Sequence, residues 1–583
     1  MKLPTLKELN TSREMVDVFK GYNHNLRIGA GEFYDMKNLS SDNFPILSPR
    51  PKRGIYATPN KPLGLVAKDA LCYVDGGDFI INEDRISMGL TTNDEKPKTL
   101  ISMGAYVIIM PDKKYINTTD YSDRGSIDAN YNDGGADSPI HFENCKVDGS
   151  SFQPTIQATA PNERTDGDYW VDTSSTPFVL KQWSASRNAW VNIDTTYVRI
   201  SFRSGEALPF VSGDGVTISG ITQSGLTDFN GRKLIQDAGT NYIIIEGIMG
   251  ASRYCNDYIN IINQMPEMDF VIESGNRLWG CRYGLNLDGN FVNEIYASKL
   301  GDFKNWNSFN GISTDSYTAS LGTDGQFTGA ITHLGYPLFF KENCMHKIYG
   351  NYPGNYQLQT TACRGVQKGC ERSLAIVNEV LYYKARSGIC AYDGSLPQEI
   401  STALGDKVYH NAVAGVLGNK YYISMAEADE KYHLFVYDTL KGMWHKEDNT
   451  QAADFCNCRG DLYYIDYADK QIKTVKGTGV AENDAIAWEA TTGIIGTDSP
   501  DKKYISRMDV RMSLQVGTRV VFSAEYDSSG EWEYLFMMAG TNLRSFAVPI
   551  RPKRCDHLRL RIEGIGEAKI YSICKTIEQG SDI

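Results

Sequence analysis

The stretch NRLWGCRYGLNLDGNFVNEIYASKLGDFKNWNSF, from Asn276 to Phe309, consists of short apolar bursts separated by Gly, Asp and Asn. It lacks the 3.6-residue periodicity of an amphipathic helix. Apolar bursts of this length, bounded by turn-forming residues, predict short antiparallel strands. Because bursts of the same kind recur along the chain, this stretch decides the fold class.

The burst recurs at a nearly constant spacing. Four of its copies begin at Gly335, Asn378, Gly418 and Gly460, which lie 43, 40 and 42 residues apart. The five main copies are GNRLWGC, GYPLFFK, NEVLYYK, GNKYYIS and GDLYYID, and the two weaker ones are DALCYVD and GAYVIIM. A period near 40, with one small sheet per unit, predicts an all-β protein containing a β-propeller of six or seven blades. A series of β-sandwiches is the alternative, since it also gives short strands at regular spacing.

The copies stop and restart, which divides the chain into segments. The gap between the copies at Gly104 and Gly275 contains GDYWVDTSSTPFVLKQWSASRNAWVNIDTTYVRI, a strand-rich stretch with three Trp. Alternating strands replace the repeat near the C-terminal end, which predicts a β-sandwich of jelly-roll type. The predicted segments are 1–59 (N-terminal arm and loop), 60–112 (first blades), 113–150 (loop-rich connection), 151–255 (inserted β modules), 256–484 (remaining blades) and 485–583 (C-terminal sandwich).

The composition is that of a folded chain whose field does not attract nucleic acid. The 583 residues include 54 Gly and 35 Tyr, a bias toward turns and strands, and the formal net charge is -12. The N-terminal residues lack the apolar segment of a secretory signal, and no apolar run reaches a membrane-spanning length. We therefore expect synthesis in a cytoplasm, no membrane insertion, and free thiols rather than disulfides among the 12 Cys.

Two groups of residues are candidate binding positions. The first consists of two basic Pro-containing loops, which are either solvated or pair with an acidic neighbouring subunit: Arg50, Lys52, Arg53, Arg551, Lys553 and Arg554. The second consists of aromatic side chains that could stack on a glycan, although a small core needs the same residues: Trp170, Trp183 and Trp190.

No recognisable catalytic motif occurs in the sequence. A G-x-S-x-G elbow, a Walker A loop and an H-E-x-x-H helix are missing. His445 lies beside Glu447 and Asp448, which would suit a general base, but a structural role at a strand end is favoured. The segment Asn286–Asn290 is better explained as a hairpin turn than as a Ca²⁺ loop. The sequence thus predicts a protein without cofactor, metal or enzymatic activity.

Four stretches resemble one family of viral proteins. They are GEFYDMKNLSSDNFPILSPRPKRG, IYASKLGDFKNWNSF, PLFFKENCMHKIYG and RGVQKGCERSLAIVNEVLYYKARSGICAYDG. Together they resemble the packaged-DNA stabilisation and tail-nozzle proteins of tailed bacteriophages. The resemblance covers about residues 31–112 and 270–475. The inserted modules and the C-terminal sandwich lie outside it.

The resemblance implies a structural role in the virion tail. It implies a ring of copies around the DNA exit channel, in contact with other tail, adaptor or receptor-binding proteins. Packaged DNA would pass through this ring without tight binding, and the protein would be made in the cytoplasm of the bacterial host. The alternative is a receptor-binding or baseplate protein that docks on host surface glycans. A polysaccharide-degrading enzyme ranks last, because no acid–base pair is recognisable.

Overall fold

The computed structural model describes residues 11–92, 97–203, 207–309, 312–477, 480–481, 485–496, 502–549 and 553–579. The prediction of an all-β fold built of many small sheets is confirmed. In the described ranges the helical elements are four 3₁₀ turns: Thr227–Phe229, Pro353–Asn355, Glu371–Ser373 and Thr402–Leu404. No helix in these ranges is long and apolar enough to cross a membrane.

The chain forms two compact units. The first unit comprises Met1–Ser102, Gly325–Ile348 and Leu358–Ile583, and the second comprises Met103–Asp324 and Tyr349–Gln357.

Strands near the N-terminal end precede two four-stranded sheets. The first strands are β1 (Thr11–Val16), β2 (Gly21–Tyr22), β3 (Glu32–Lys37), β4 (Leu39–Ser40), β5 (Ser48–Pro49) and β6 (Gly54–Ala57). One sheet follows with β7 (Pro62–Ala67), β8 (Leu71–Asp75), β9 (Asp78–Ile81) and β10 (Asp84–Ser87). The next has β11 (Thr99–Met103), β12 (Tyr106–Met110), β13 (Lys114–Asn117) and β14 (Arg124–Ser126).

The inserted region contains two sheets. Eight strands form the larger one: β15 (Ala129–Gly134), β16 (Ile140–Cys145), β21 (Tyr197–Ser201), β22 (Gly215–Ser219), β23 (Gly231–Ala238), β24 (Tyr242–Glu246), β25 (Arg253–Cys255) and β26 (Tyr258–Asn263). Between β16 and β21 lie the strands of the smaller one: β17 (Thr155–Gln157), β18 (Tyr169–Asp172), β19 (Val179–Ser184) and β20 (Ala189–Ile193).

Four-stranded units resume after the insertion. Three are separate sheets: β27 (Phe270–Ser274), β28 (Arg277–Leu285), β29 (Phe291–Ala297) and β30 (Tyr317–Ser320); β31 (Gly329–His333), β32 (Tyr336–Lys341), β33 (Cys344–Tyr349) and β34 (Gln357–Ala362); and β35 (Ala375–Val377), β36 (Val380–Lys384), β37 (Ile389–Tyr392) and β38 (Gln398–Glu399). The fourth group is β39 (Tyr409–Leu417), β40 (Lys420–Glu427), β41 (Tyr432–Asp438) and β42 (Met443–Lys446). It lies at one end of a twelve-stranded sheet, which continues from β42 to β2.

The remaining strands complete the first unit. They are β43 (Ala452–Cys458), β44 (Asp461–Asp466), β45 (Ile472–Thr474), β46 (Val480–Ala481), β47 (Ala487–Thr492), β48 (Lys503–Tyr526), β49 (Glu533–Val548), β50 (Leu558–Ile565) and β51 (Ala568–Gln579).

Within the first unit, successive sheets pack side by side through apolar side chains. Leu417 and Leu434, of the β39–β42 group, share a cluster with Leu462 of β44. Leu65 of β7 lies in a cluster with Tyr463 and Ile465 of β44. The sheet that begins near residue 62 therefore packs against the one that ends near 474, as expected of strands that close on themselves.

The sequence predicts an arm and loop for 1–59, but residues 11–59, the described part of that segment, contain six strands. Strand β6 pairs antiparallel with β45, so a strand from early in the chain completes the β43–β45 sheet. Strand β1 pairs with β51, and β3 pairs with β47. These pairings join residues more than 400 positions apart in the chain, which a local pattern cannot reveal.

The C-terminal region is built around one unusually long strand. The first half of β48 lies between β49 and β51, and its second half lies between β49 and β50. Its buried side chains, among them Val510, Met512 and Phe522, join a core shared with the sheets β31–β42. The predicted antiparallel strands are present after residue 485, and the jelly-roll topology stays a prediction.

In the second unit, the eight-stranded sheet curls around a single core. Each of its strands contributes a buried side chain to one cluster, including Tyr131 of β15 and Cys255 of β25. The predicted loop-rich connection at 113–150 is therefore wrong: it holds β13 to β16. Asn, Asp and Gly in these strands suggested turns, but β15 pairs along its length with β26, which is distant in sequence.

The strand partners define how the small Trp-containing sheet could be removed. Cys145 at the end of β16 pairs directly with Tyr197 at the start of β21. We expect that replacing residues 146–196 by an Asn-Gly hairpin turn leaves a soluble protein with a cooperative thermal transition, because the turn rejoins paired strands. Deleting 151–255 should instead give aggregated protein, because it removes strands of the shared core. Equal solubility and melting of the two variants would contradict this boundary.

Candidate functional site

The predicted basic loop at 50–53 lies inside the first unit. Arg50 and Arg53 are 8% and 4% exposed, so neither presents its charge to solvent. The Arg53 guanidinium contacts Glu447 Oε2 and Asp448 Oδ2, each at 2.8 Å. Arg50 donates from Nε to Asn38 Oδ1 at 2.9 Å and lies 3.7 Å from Asp448. The prediction that Arg50 and Arg53 contact a neighbouring subunit is therefore wrong.

This buried cluster of Arg50, Arg53, Glu447 and Asp448 links two distant parts of the chain. Arg53 immediately precedes β6, and the two acids lie between β42 and β43. Burial acts to raise the pKa of Asp448, but the charges of Arg53 and Arg50 outweigh it and hold that pKa below its usual range. Asp448 is thus ionised and paired, which fits an anchor rather than a proton-transfer site.

The other predicted basic residues have different surroundings. Lys553 is exposed, pairs with Glu533 and lies 5.3 Å from the ring of Tyr526. Arg554 is exposed and Lys52 is partly exposed, and their contact with a neighbouring subunit stays a prediction. Arg551 lies outside the described residues.

The three tryptophans of the insertion form a small core. Trp170 and Trp183 are buried, and both pack edge-on against Trp190 at centroid distances of 5.4 and 5.5 Å. Arg164 covers the Trp183 ring at 3.9 Å, and Lys181 covers the Trp170 ring at 4.7 Å. The faces of Trp170 and Trp183 are therefore covered, and the core interpretation replaces the glycan contacts for these two residues.

His445 has the structural role that the sequence favours. Its side chain is fully enclosed, and burial lowers its pKa to about 3, so the ring is neutral. The turn at Asn286–Asn290 is also confirmed, since Asn286 Oδ1 accepts from the amides of Asp288 and Asn290. The twelve cysteines carry free thiols. In the described ranges, no group of three His, Cys, Asp or Glu could hold a metal ion.

A buried ion pair joins the inner strands of the first unit. Asp454 on β43 accepts from Arg372 at 2.9 Å and from the amide of Leu65 at 2.9 Å. Arg372 also donates to the carbonyl oxygens of Pro97 and Lys98. Burial raises the pKa of Asp454 although Arg372 opposes this. Each partner belongs to the framework, so this pair holds strands together.

A groove with uncommitted polar groups lies at one end of three neighbouring units, which run from β31 to β42. The β32–β33 and β36–β37 hairpins and the connections after β34 and β38 all lie at this end, because alternate strands are antiparallel. Two cavities of about 370 and 360 Å³ adjoin there and share Arg386 and Ser387. We call this the loop-end groove. Its charged and phenolic residues are Glu342, Arg364, Lys384, Arg386, Glu399, Asp406, Lys407 and Tyr409.

Ion pairs and hydrogen bonds fix part of this groove. Arg364 contacts Glu399 at 2.8 Å, and Lys407 contacts Glu427 at 2.7 Å. Buried Lys384 donates to Gln367 Oε1 and to the Ala385 carbonyl, and burial lowers its pKa. Sequence reasoning missed the groove because its residues come from separate hairpins. The available signal was KARSG, at residues 384–388, where two basic residues lie in a tight turn between apolar strands.

The comparisons with known proteins give weak similarity in structure. No protein-family model and no curated protein matches the chain. An exo-β-1,3-galactanase from Phanerochaete chrysosporium covers 52% of this chain and 94% of its own, at 9% identity and a TM-score of 0.21. The match to an engineered GH43 glycoside hydrolase covers 54% of this chain and 99% of that protein, at 9% identity and a TM-score of 0.20. A third match is the extracellular domain of the putative hybrid two-component system BT4673 from B. thetaiotaomicron. It covers 92% of this chain and 98% of that domain, at 8% identity and a TM-score of 0.17.

These matches change one expectation from the sequence. The prediction that the chain is not an enzyme is contradicted by the likeness to glycoside hydrolases, and it is withdrawn. The physical reason for the error is that acid–base pairs are defined in three dimensions and leave no local motif. Identities of 8 to 9% and TM-scores near 0.2 do not assign a substrate or a reaction to this chain.

The buried cluster predicts a large effect of removing one charge. Replacing Arg53→Met should lower the free energy of unfolding by about 3–5 kcal/mol, because it leaves Glu447 and Asp448 buried with less compensation. Urea unfolding at pH 7 measures this change. Arg187→Met, at an exposed turn, is the matched control and should stay within about 0.5 kcal/mol. A small effect of Arg53→Met would show that the cluster does not anchor the segment.

The same cluster predicts a dependence on pH. The folded-state pKa of Asp448 lies below its unfolded value near 3.9, so its contribution is present above that value and is lost as pH falls through the folded pKa. Asp448→Asn should cost about 2 kcal/mol at pH 7. Its difference from the wild type should shrink between pH 5 and pH 3 in urea titrations. A pH-independent difference would contradict the ionised pairing.

Proposed function

We propose that this chain is a structural subunit of a bacteriophage tail, which assembles with copies of itself around the DNA exit channel. The observation that carries the proposal is an exposed apolar hairpin tip between β28 and β29. Leu285, Leu287 and Phe291 are 59%, 49% and 64% exposed there. Clustered large apolar side chains at the surface mark sites of protein–protein contact.

The hairpin is held in one conformation. Arg282 contacts Asp269 at 2.8 Å and donates twice to the Leu285 carbonyl oxygen, so the guanidinium ties the tip to its base. The rings of Tyr283 and Phe291 pack edge-on at 5.1 Å. A rigid tip loses little conformational freedom when it is buried, which favours its use as a subunit contact.

The phrase that resembles tail proteins has a structural role next to this hairpin. Asn305 donates to Asp302 at 2.6 Å and to Asp214 at 3.0 Å, and it accepts from the amide of Gly215 at 2.8 Å. Buried Trp306 donates to the Phe303 carbonyl oxygen. The phrase therefore fastens the β27–β30 sheet to the inserted strand β22, which is a structural role.

Finer features of the fold belong to the same proposal. The repeated units would form one propeller of six or seven blades, in which β6 completes the sheet of β43–β45. The C-terminal strands would form the jelly-roll sandwich. A net charge of -12 per chain, repeated around a ring, would repel the phosphate backbone and let DNA slide.

Assembly of the purified chain tests the proposal. We expect mass photometry to show a defined ring of copies, and the triple substitution Leu285→Ser, Leu287→Ser and Phe291→Ser to shift the population to monomers. The matched control is Leu396→Ser, Leu440→Ser and Val516→Ser, which changes three exposed apolar residues elsewhere. A monomeric wild type at micromolar concentration, or rings that survive the tip substitutions, would refute the proposal.

A further inference from the structure

A cavity with mostly apolar walls opens at the surface of the first unit. Its volume is about 300 Å³, and it lies among β1, the connection before β3, the end of β47 and β51. Most of its lining side chains are apolar, among them Val16, Ile494, Ile573 and Ile577. Ala30 also lines the cavity and is exposed, so the cavity is accessible from solvent.

The polar side chains that line this cavity already have partners within the protein. Glu14 and Lys575 form an ion pair at 3.0 Å. Glu32 accepts from the amide of Gly29 at 2.6 Å, and Thr492 Oγ1 accepts from a backbone amide at 3.0 Å. None of these side chains needs a polar group from outside. The space that remains therefore suits an apolar occupant.

The hairpin tip between β28 and β29 has the convex shape that such a cavity requires. Leu285 and Phe291 lie directly opposite each other on the paired strands, so both side chains are on the same face of the hairpin. An apolar cavity of about 150 Å³ holds one benzene-sized molecule. A cavity of about 300 Å³ is thus large enough for the Phe291 ring together with the Leu285 side chain.

A ring of copies gives the tip a reason to contact a different surface. A ring of three or more copies repeats a heterologous contact, in which each copy presents two different surfaces. A contact between two identical tips would instead be isologous and would join only two copies. The tip belongs to the second unit and the cavity to the first, so each copy carries both surfaces of a heterologous contact.

We propose that the hairpin tip of one copy inserts into this cavity of the next copy. The inference rests on the ring assembly proposed above and names the surface that receives the tip. Leu285 and Phe291 enter the cavity and pack against its apolar walls, such as Ile573. Removal of this apolar surface from water drives the contact.

Mixing two assembly-defective variants tests the insertion. Ala30→Glu places a carboxylate in the cavity mouth, where an inserted tip would desolvate it. By sedimentation velocity, we expect the concentration for half-assembly to rise by about tenfold or more. An equimolar mixture with the Leu285→Ser, Leu287→Ser, Phe291→Ser variant should form dimers, because each mixed pair keeps one intact tip and one intact cavity.

The controls separate insertion from folding. Ala468→Glu changes an exposed alanine elsewhere in the first unit and should assemble as the wild type does. Ala30 is exposed, so Ala30→Glu should keep the wild-type Tm. If its Tm falls, Ala30→Gln takes its place, because it adds a polar group without a charge.

The outcomes distinguish this inference from the proposed function. Wild-type rings formed by the folded Ala30 variant, or a mixture without dimers, would overturn the insertion and leave the ring assembly standing. A wild type that stays monomeric would refute the ring assembly and the insertion together.

Discussion

The fold of the first unit depends on the anchoring of residues 38–57 by buried charge. Arg53 is buried with Glu447 and Asp448. Removing Arg53 would leave buried carboxylates without their partner, which destabilises the folded state. The same segment then runs directly into β6, which pairs with β45. The ion pairs thus fix the position of β6, whose partner strand lies more than 400 residues away in the chain. In this position β6 covers the edge of β45, which would otherwise be unpaired.

This anchoring determines which surfaces are free for function. Once β6 covers β45, β44 packs on one side against the β39–β42 group and on the other against β7. Hairpins and connections then gather at common ends, which brings Arg386 from one sheet close to Asp406 and Tyr409 from the connection to the next. The loop-end groove is therefore a consequence of how the strands are arranged rather than of any one motif.

Sequence alone predicted the strands well, because each depends on a local pattern. The bursts at 335–341, 378–384, 418–424 and 460–466 coincide with β32, β36, β40 and β44. The role of Arg50 and Arg53 could not be predicted, since their partners lie almost 400 residues away and a Pro-rich basic loop resembles a solvated one. The groove was missed for the same reason. Acid–base pairs also leave no local pattern, so nothing in the sequence supported the expectation of an inactive protein, which is withdrawn.

The pairing of β6 with β45 is the central claim, and native-state hydrogen exchange tests it most directly. The amides of residues 54–57 and 472–474 should exchange as slowly as those of β44, because one cooperative unit protects them all. Faster amide exchange of both segments in the Arg53→Met variant, while β44 remains protected, would show that the ion pairs hold β6 against β45. Fast exchange of residues 54–57 in the wild type, beside a protected β43–β45 sheet, would contradict the account.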